Sequence, residues 1–167
     1  MILSLTYAQY AALIIASLGL PSSPVDQDAM VNTRVTVGWN VKSDAEVGKK
    51  GILTFEKLLP NNLLYGIRPL LAVGFSVDGM GYASAGVRKD FIFDKIRVSP
   101  YFAPSMYSAN MRYPTVSELI QFKSGVDVAY QVKQNTYVGV GIYHMSNAQI
   151  TKDSAGVDVY HASISWK

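Results

Sequence analysis

The chain has no cysteine, which excludes disulfides, thiolate catalysis and cysteine-held metal centres. Charge is scarce too: Asp, Glu, Lys and Arg make up 16% of its 167 residues, against 49% apolar. That balance is more apolar than a water-soluble domain usually shows. Long apolar runs are nevertheless missing beyond residues 2–20, so a bundle of membrane helices is excluded. No phosphate loop and no zincin helix motif occurs. The first Lys or Arg is Arg34, so the positive start of an ordinary export signal is absent as well.

What is present fits a membrane β-barrel, in which only every second residue must be apolar. Eleven tyrosines and two tryptophans suit aromatic girdles, and thirteen glycines suit a crowded interior. The net charge of +3 is spread in small groups such as Lys49 with Lys50 and Arg88 with Lys89. Dispersed charge of this kind suits solvated strand ends and a lipid surface, not a nucleic-acid groove. The length allows one domain. Residues 1–30 form an apolar segment and linker, ended as a helix by Pro21 and Pro24, and are expected to be a signal peptide or a retained helix.

From residue 31 to 167 the pattern has period two, interrupted by turn residues. It predicts eight antiparallel strands near 31–41, 50–58, 63–77, 80–92, 95–107, 117–133, 136–147 and 157–166, enough to close a small barrel. Turn chemistry divides them at Ser43 and Asp44, at 60–62, Asp78 and Gly79, Phe93 and Asp94, Tyr113 and Pro114, Gln134 and Asn135, and 153–156. Parity places Val126, Val128, Tyr130 and Val132 on one face, and Gly125, Asp127, Ala129 and Gln131 on the other. The valine face is expected to meet lipid, and the face with Gly, Asp and Gln to fill the interior. Asp127 and Arg68 are therefore expected in interior ion pairs or hydrogen bonds, and His161 is expected to bond inside the barrel.

One short stretch carries candidate chemistry. His144 and Ser146 stand two apart on a strand and share a face with Val138, Val140 and Ile142. Asp158 lies on the next strand with Tyr160, again outward. A serine hydroxyl needs a base to take its proton, and the base needs an acceptor to hold its tautomer. Ser146, His144 and Asp158 can fill those roles, with Asn147 or backbone N–H groups facing the oxyanion. Such a group would work on the outside of the barrel, at the membrane boundary, on a lipid.

The chain resembles the PagL family of outer-membrane lipid A 3-O-deacylases. The resemblance rests on His144, Met145, Ser146, Asn147 and Ala148, on residues 122–130 (Phe, Lys, Ser, Gly, Val, Asp, Val, Ala, Tyr), on Arg68, Pro69 and Leu70, and on residues 82–86 (Tyr, Ala, Ser, Ala, Gly). It implies a bacterial outer-membrane barrel that hydrolyses the ester-linked acyl chain at position 3 of lipid A in lipopolysaccharide, without a cofactor or metal. It implies Ser146 as nucleophile, His144 as base, Asp158 as orienting acid and Asn147 as oxyanion contributor. The family usually has glutamate where this chain has Asp158, so the shorter acid predicts a longer bond to His144 or a shifted strand. The acyl chain is expected along Val138, Val140, Ile142 and Tyr160, with Lys152 near the phosphates.

Two other readings compete. A PagL-like barrel without catalysis could serve as a structural or accessory subunit, as a homodimer or within a larger membrane assembly. A soluble ligand-binding barrel would need an apolar interior and a polar outside, the reverse of the observed parity.

Overall fold

The computed structural model describes residues 32–42, 51–60, 63, 66–77, 79, 81–108, 120–147 and 157–167. The apolar segment 1–30, Lys152, and the turns expected at 43–44, 61–62, 78, 113–114 and 153–156 lie outside the described residues.

Nine strands follow one another: β1 (Thr33–Lys42), β2 (Gly51–Leu58), β3 (Ile67–Ser76), β4 (Gly81–Lys89), β5 (Phe91–Phe93), β6 (Ile96–Ser108), β7 (Ile120–Lys133), β8 (Thr136–Ser146) and β9 (Val157–Trp166). Neighbours in the sheet pair antiparallel; β1 pairs with both β2 and β9, and β4 pairs with β6, which together close the sheet into a barrel. The expected strand over 80–92 is split at Asp90. β4 and β5 occupy one wall position in one register on β6, with Arg88 opposite Tyr101 and Phe91 opposite Val98. The break falls beside Pro100, which has no N–H to donate across the ladder. Counted by wall position, the barrel has the eight strands that the pattern predicts. The third strand begins at Ile67, later than the expected 63.

The two ends differ. β1, β3, β6 and β8 end, and β2, β4, β7 and β9 begin, at the end where Ser146 and Asp158 lie, with eight, four, eleven and ten residues of sequence between them. The opposite end has two-residue turns at 94–95 and 134–135 and the eight-residue connection 59–66, and the described chain enters and leaves there. Asp94 (φ 54°) and Asn135 (φ 59°) adopt the left-handed conformation that short polar side chains tolerate, which explains why these residue types sit in such tight turns.

Faces follow parity. Val37, Leu53, Phe75, Val128, Val140 and Ile164 are exposed on the outside, whereas Arg34, Glu56, Arg88, Arg97, Lys123 and Asp127 are buried within. This arrangement suits an apolar outside solvent, because the apolar side chains face out while the buried Arg34, Arg88, Glu56, Asp90 and Asp127 pair with one another inside. Arg34 pairs with Glu56 at 2.5 Å and with Asp127. Arg88 reaches Glu56 and Asp90, each at 2.8 Å. His161 Nε2 meets Asp127 Oδ1 at 2.5 Å. His161 thus bonds inside the barrel, as its parity predicts. Arg68 is also interior, but it bonds Asn32 Oδ1 at 2.6 Å and the Leu59 carbonyl at 3.3 Å. Gly141 lets Asp127 and His161 meet, since a Cβ there would collide with both side chains.

Candidate active site

The site is built where β7, β8 and β9 approach the long-loop end. His144 lies directly opposite Ser124 on β7 and Asp158 on β9. The hairpin register therefore brings the two polar outward positions of β8 and β9 face to face. His144 Nδ1 and Asp158 Oδ1 are 2.7 Å apart. The carboxylate accepts from the ring N–H in the tautomer that leaves Nε2 as a base. The shorter acid thus makes a full-strength bond, without the longer distance its length predicts. The neighbouring strand is irregular at that point: pairing of β1 with β9 shifts register between Asn40 and Lys42, and Lys42 is opposite Asp158.

Outward parity would expose His144 to lipid, yet its residue exposure is 6% and that of Ser124 is 5%. The carboxylate of Asp158 is more open, at 22%. Burial of the imidazole beside an ion-pairing acid strengthens that bond relative to water. Ser146 shares the outward face two residues on, half-buried, opposite Phe122. Asn147 follows it and is buried. These four residues lie at one end of two adjacent strands. Val138, Val140 and Tyr160 are exposed on the same outer wall, and Ile142 is half-buried there.

Behind this wall, inside the barrel, Lys123 lies between Phe122 and Ser124 in sequence and is opposite Met145. Its ammonium donates to the Tyr82 hydroxyl at 3.0 Å and sits over the Tyr143 ring at 4.4 Å. Tyr101 packs close against Gly125. This tyrosine cage gives β7 and β8 a rigid backing at the height of the site.

The matched family model covers residues 35–167 and is described as lipid A 3-O-deacylase (PagL). The chain belongs to the PagL family. Among curated proteins, none matches it. A solved structure, described as the crystal structure of the outer membrane enzyme PagL, superposes with a TM-score of 0.54 at 12% identity, covering 80% of this chain and 99% of that one. At that identity the likeness shows the fold: a PagL-type eight-position outer-membrane barrel. Family membership makes the chain one of a hydrolase family.

Sequence reasoning did not find one feature beside the candidate site. A concave apolar surface of about 800 Å³ lies on the outer wall, floored by Ala83 and Ala85 and walled by Leu71, Val73, Pro104 and Met106. Register links it to the serine. Ser146 is opposite Phe122, Phe122 opposite Pro104, and Leu71 opposite Ala85. Continuing the β4–β6 register sets Ala85 against Pro104. From Ser146 to Ala85 is three strands, about 14 Å at the usual spacing. The stacked rings of Phe102 and Phe122, 6.1 Å apart, stand between. Small outward residues, Ala83 and Ala85, on a face otherwise lined by large ones are the signal that marks this groove in the sequence.

Proposed function

We propose that this chain removes the ester-linked acyl chain at position 3 of lipid A, by serine-esterase chemistry on the outer wall of the barrel. The observation that carries the reading is the 2.7 Å His144–Asp158 pair on the lipid-facing side, with Ser146 two residues along the same face. Family membership supplies the substrate class.

The steps follow from the groups present. Ser146 Oγ attacks the ester carbonyl as His144 Nε2 takes its proton, and Asp158 stabilises the imidazolium that results. The Asn147 amide and nearby backbone N–H groups face the developing oxyanion. Collapse breaks the bond to the sugar oxygen, and the proton on His144 goes to that oxygen. Water, activated by His144, then releases the fatty acid from Ser146.

The position of the site at the long-loop end favours a substrate in the outer leaflet, because barrels of this class place their longer loops outside and their short turns in the periplasm. The acyl chain lies in the groove over Ala83 and Ala85, between Leu71 and Val73 on one side and Pro104 and Met106 on the other. Val138, Val140, Ile142 and Tyr160 flank the other side of His144 and carry neighbouring chains. Lys152 serves the phosphates.

Mass spectrometry of lipid A incubated with the protein and with Ser146→Ala tests the reading. Loss of one 3-hydroxyacyl chain is expected with the wild type alone. Identical spectra from two folded proteins would refute hydrolysis and favour the accessory-subunit reading.

A further inference from the structure

Among the residues whose side-chain exposure is described, the exposed cations are Lys57, Lys95, Lys133 and Lys167, and all four stand at the short-turn end. Lys57 is the penultimate residue of β2, Lys95 lies in the turn between β5 and β6, Lys133 ends β7 and Lys167 follows β9. Asp94 is the exposed carboxylate there, and the other described acids are buried or half-buried. The opposite end has no such surplus: residues 42–50, 77–80, 109–119 and 147–158 carry five basic and six acidic side chains.

The lysines follow a common pattern. Each comes one to three residues after an exposed outward aromatic: Phe55 before Lys57, Phe93 before Lys95, Tyr130 before Lys133 and Trp166 before Lys167. Aromatic side chains at a barrel end mark the level where hydrocarbon gives way to headgroups. A lysine just beyond reaches the phosphate layer with its ammonium while its stem stays against the apolar wall.

The positions are anchored. Gln131 N donates to the Lys95 carbonyl at 2.8 Å, and Lys167 N to the Asn135 carbonyl at 3.2 Å. Lys57 Nζ donates to Thr33 Oγ1 at 3.2 Å. The cations are thus spread along the rim from β5 through β7 and β9 to β2.

We propose that this rim binds the phosphate headgroups of anionic glycerophospholipids, and so seats the short-turn end in a leaflet of different chemistry from the one beside Ser146. The chemistry is ammonium to phosphate diester at an interface. Each lysine near an anionic surface favours it by about fivefold.

The test uses the full chain reconstituted in phosphatidylcholine bilayers, with spin-labelled phosphatidylglycerol and phosphatidylcholine compared by electron paramagnetic resonance. It reads lipid contact, not hydrolysis, so its outcome is independent of the Ser146 reading. A preference of about fivefold for phosphatidylglycerol is expected at low salt, lost at about 0.5 M NaCl where screening is complete within a few ångströms. The variant K57Q/K95Q/K133Q/K167Q is expected to bind both lipids alike, and K49Q/K50Q to keep the preference. Equal association with wild type, or a preference that survives in high salt or in the fourfold variant, would overturn the proposal. So would its loss in K49Q/K50Q.

Discussion

Asp158→Asn is the sharpest perturbation of the proposed chemistry, because it keeps the shape of the side chain and removes its charge. In the wild type, Oδ1 stands 2.7 Å from His144 Nδ1. When Ser146 gives up its proton, the imidazolium formed beside the carboxylate is stabilised by Coulomb attraction. At a charge separation of about 4 Å and an effective dielectric of about 20, that attraction is about 4 kcal/mol. Three orders of magnitude in rate is therefore the ceiling. Asp158 is 22% exposed, and solvent there reduces the figure. An asparagine can also present its amide N–H to Nδ1, which selects the wrong tautomer and moves the loss back toward the ceiling. The expected fall in kcat is about 100-fold to 1000-fold, with KM little changed, since the carboxylate acts on the base and not on bound lipid. The assay is the time course of fatty-acid release from lipid A in mixed micelles. Asp158→Glu, which keeps the charge on a longer side chain, is expected to stay within about tenfold of wild type by the same Coulomb argument. An Asn variant that keeps more than half of the wild-type kcat would refute the assignment of Asp158.

Other consequences follow from the wall and the interior. Ala85→Phe fills the floor of the groove and is expected to lower kcat/KM on lipid A at least tenfold by displacing the acyl chain, while hydrolysis of a short soluble ester stays unchanged; equal losses on both substrates would count against the groove. Asp127→Ala takes from His161 its buried acid and from Arg34 one of its two and is expected to destabilise the barrel by about 3–5 kcal/mol in urea unfolding from vesicles. Val140→Arg, outward near the middle of β8 and 65% exposed, is expected to cost about 2–4 kcal/mol in the same assay if that face meets hydrocarbon. A neutral result there would place the wall against water or protein.

Much of the fold is legible in the sequence, since the side-chain period of a strand needs no knowledge of its neighbours. Val138 and Val140 outward, Asp127 and His161 inward, and the tight turns at Asp94 and Asn135 all follow from local alternation and turn chemistry. The split at Asp90 was not legible, because it depends on which residue of β6 lies across from it, and that residue is beside Pro100. The partners of Asp127 were hidden for the same reason. Arg34, Arg88 and Arg68 share the inward face, and only the arrangement across the barrel puts Arg34 against Asp127, with Arg88 4.0 Å away, and leaves Arg68 with Asn32.

The candidate site divides along the same line. Two residues of separation on a strand put His144 and Ser146 on one face, whatever the rest of the chain does. Whether Asp158 would reach His144 was a question of register across a hairpin with a ten-residue connection, and a slip of two residues would preserve every face while moving the acid away. The tertiary structure decided it, by pairing His144 with Asp158 and burying the imidazole. It also decided the groove, because Ala83, Ala85, Leu71 and Pro104 are distant in sequence and adjoin only after the sheet is assembled. Local sequence determines which way each side chain points; the closed hydrogen-bond ladder alone determines what stands beside it.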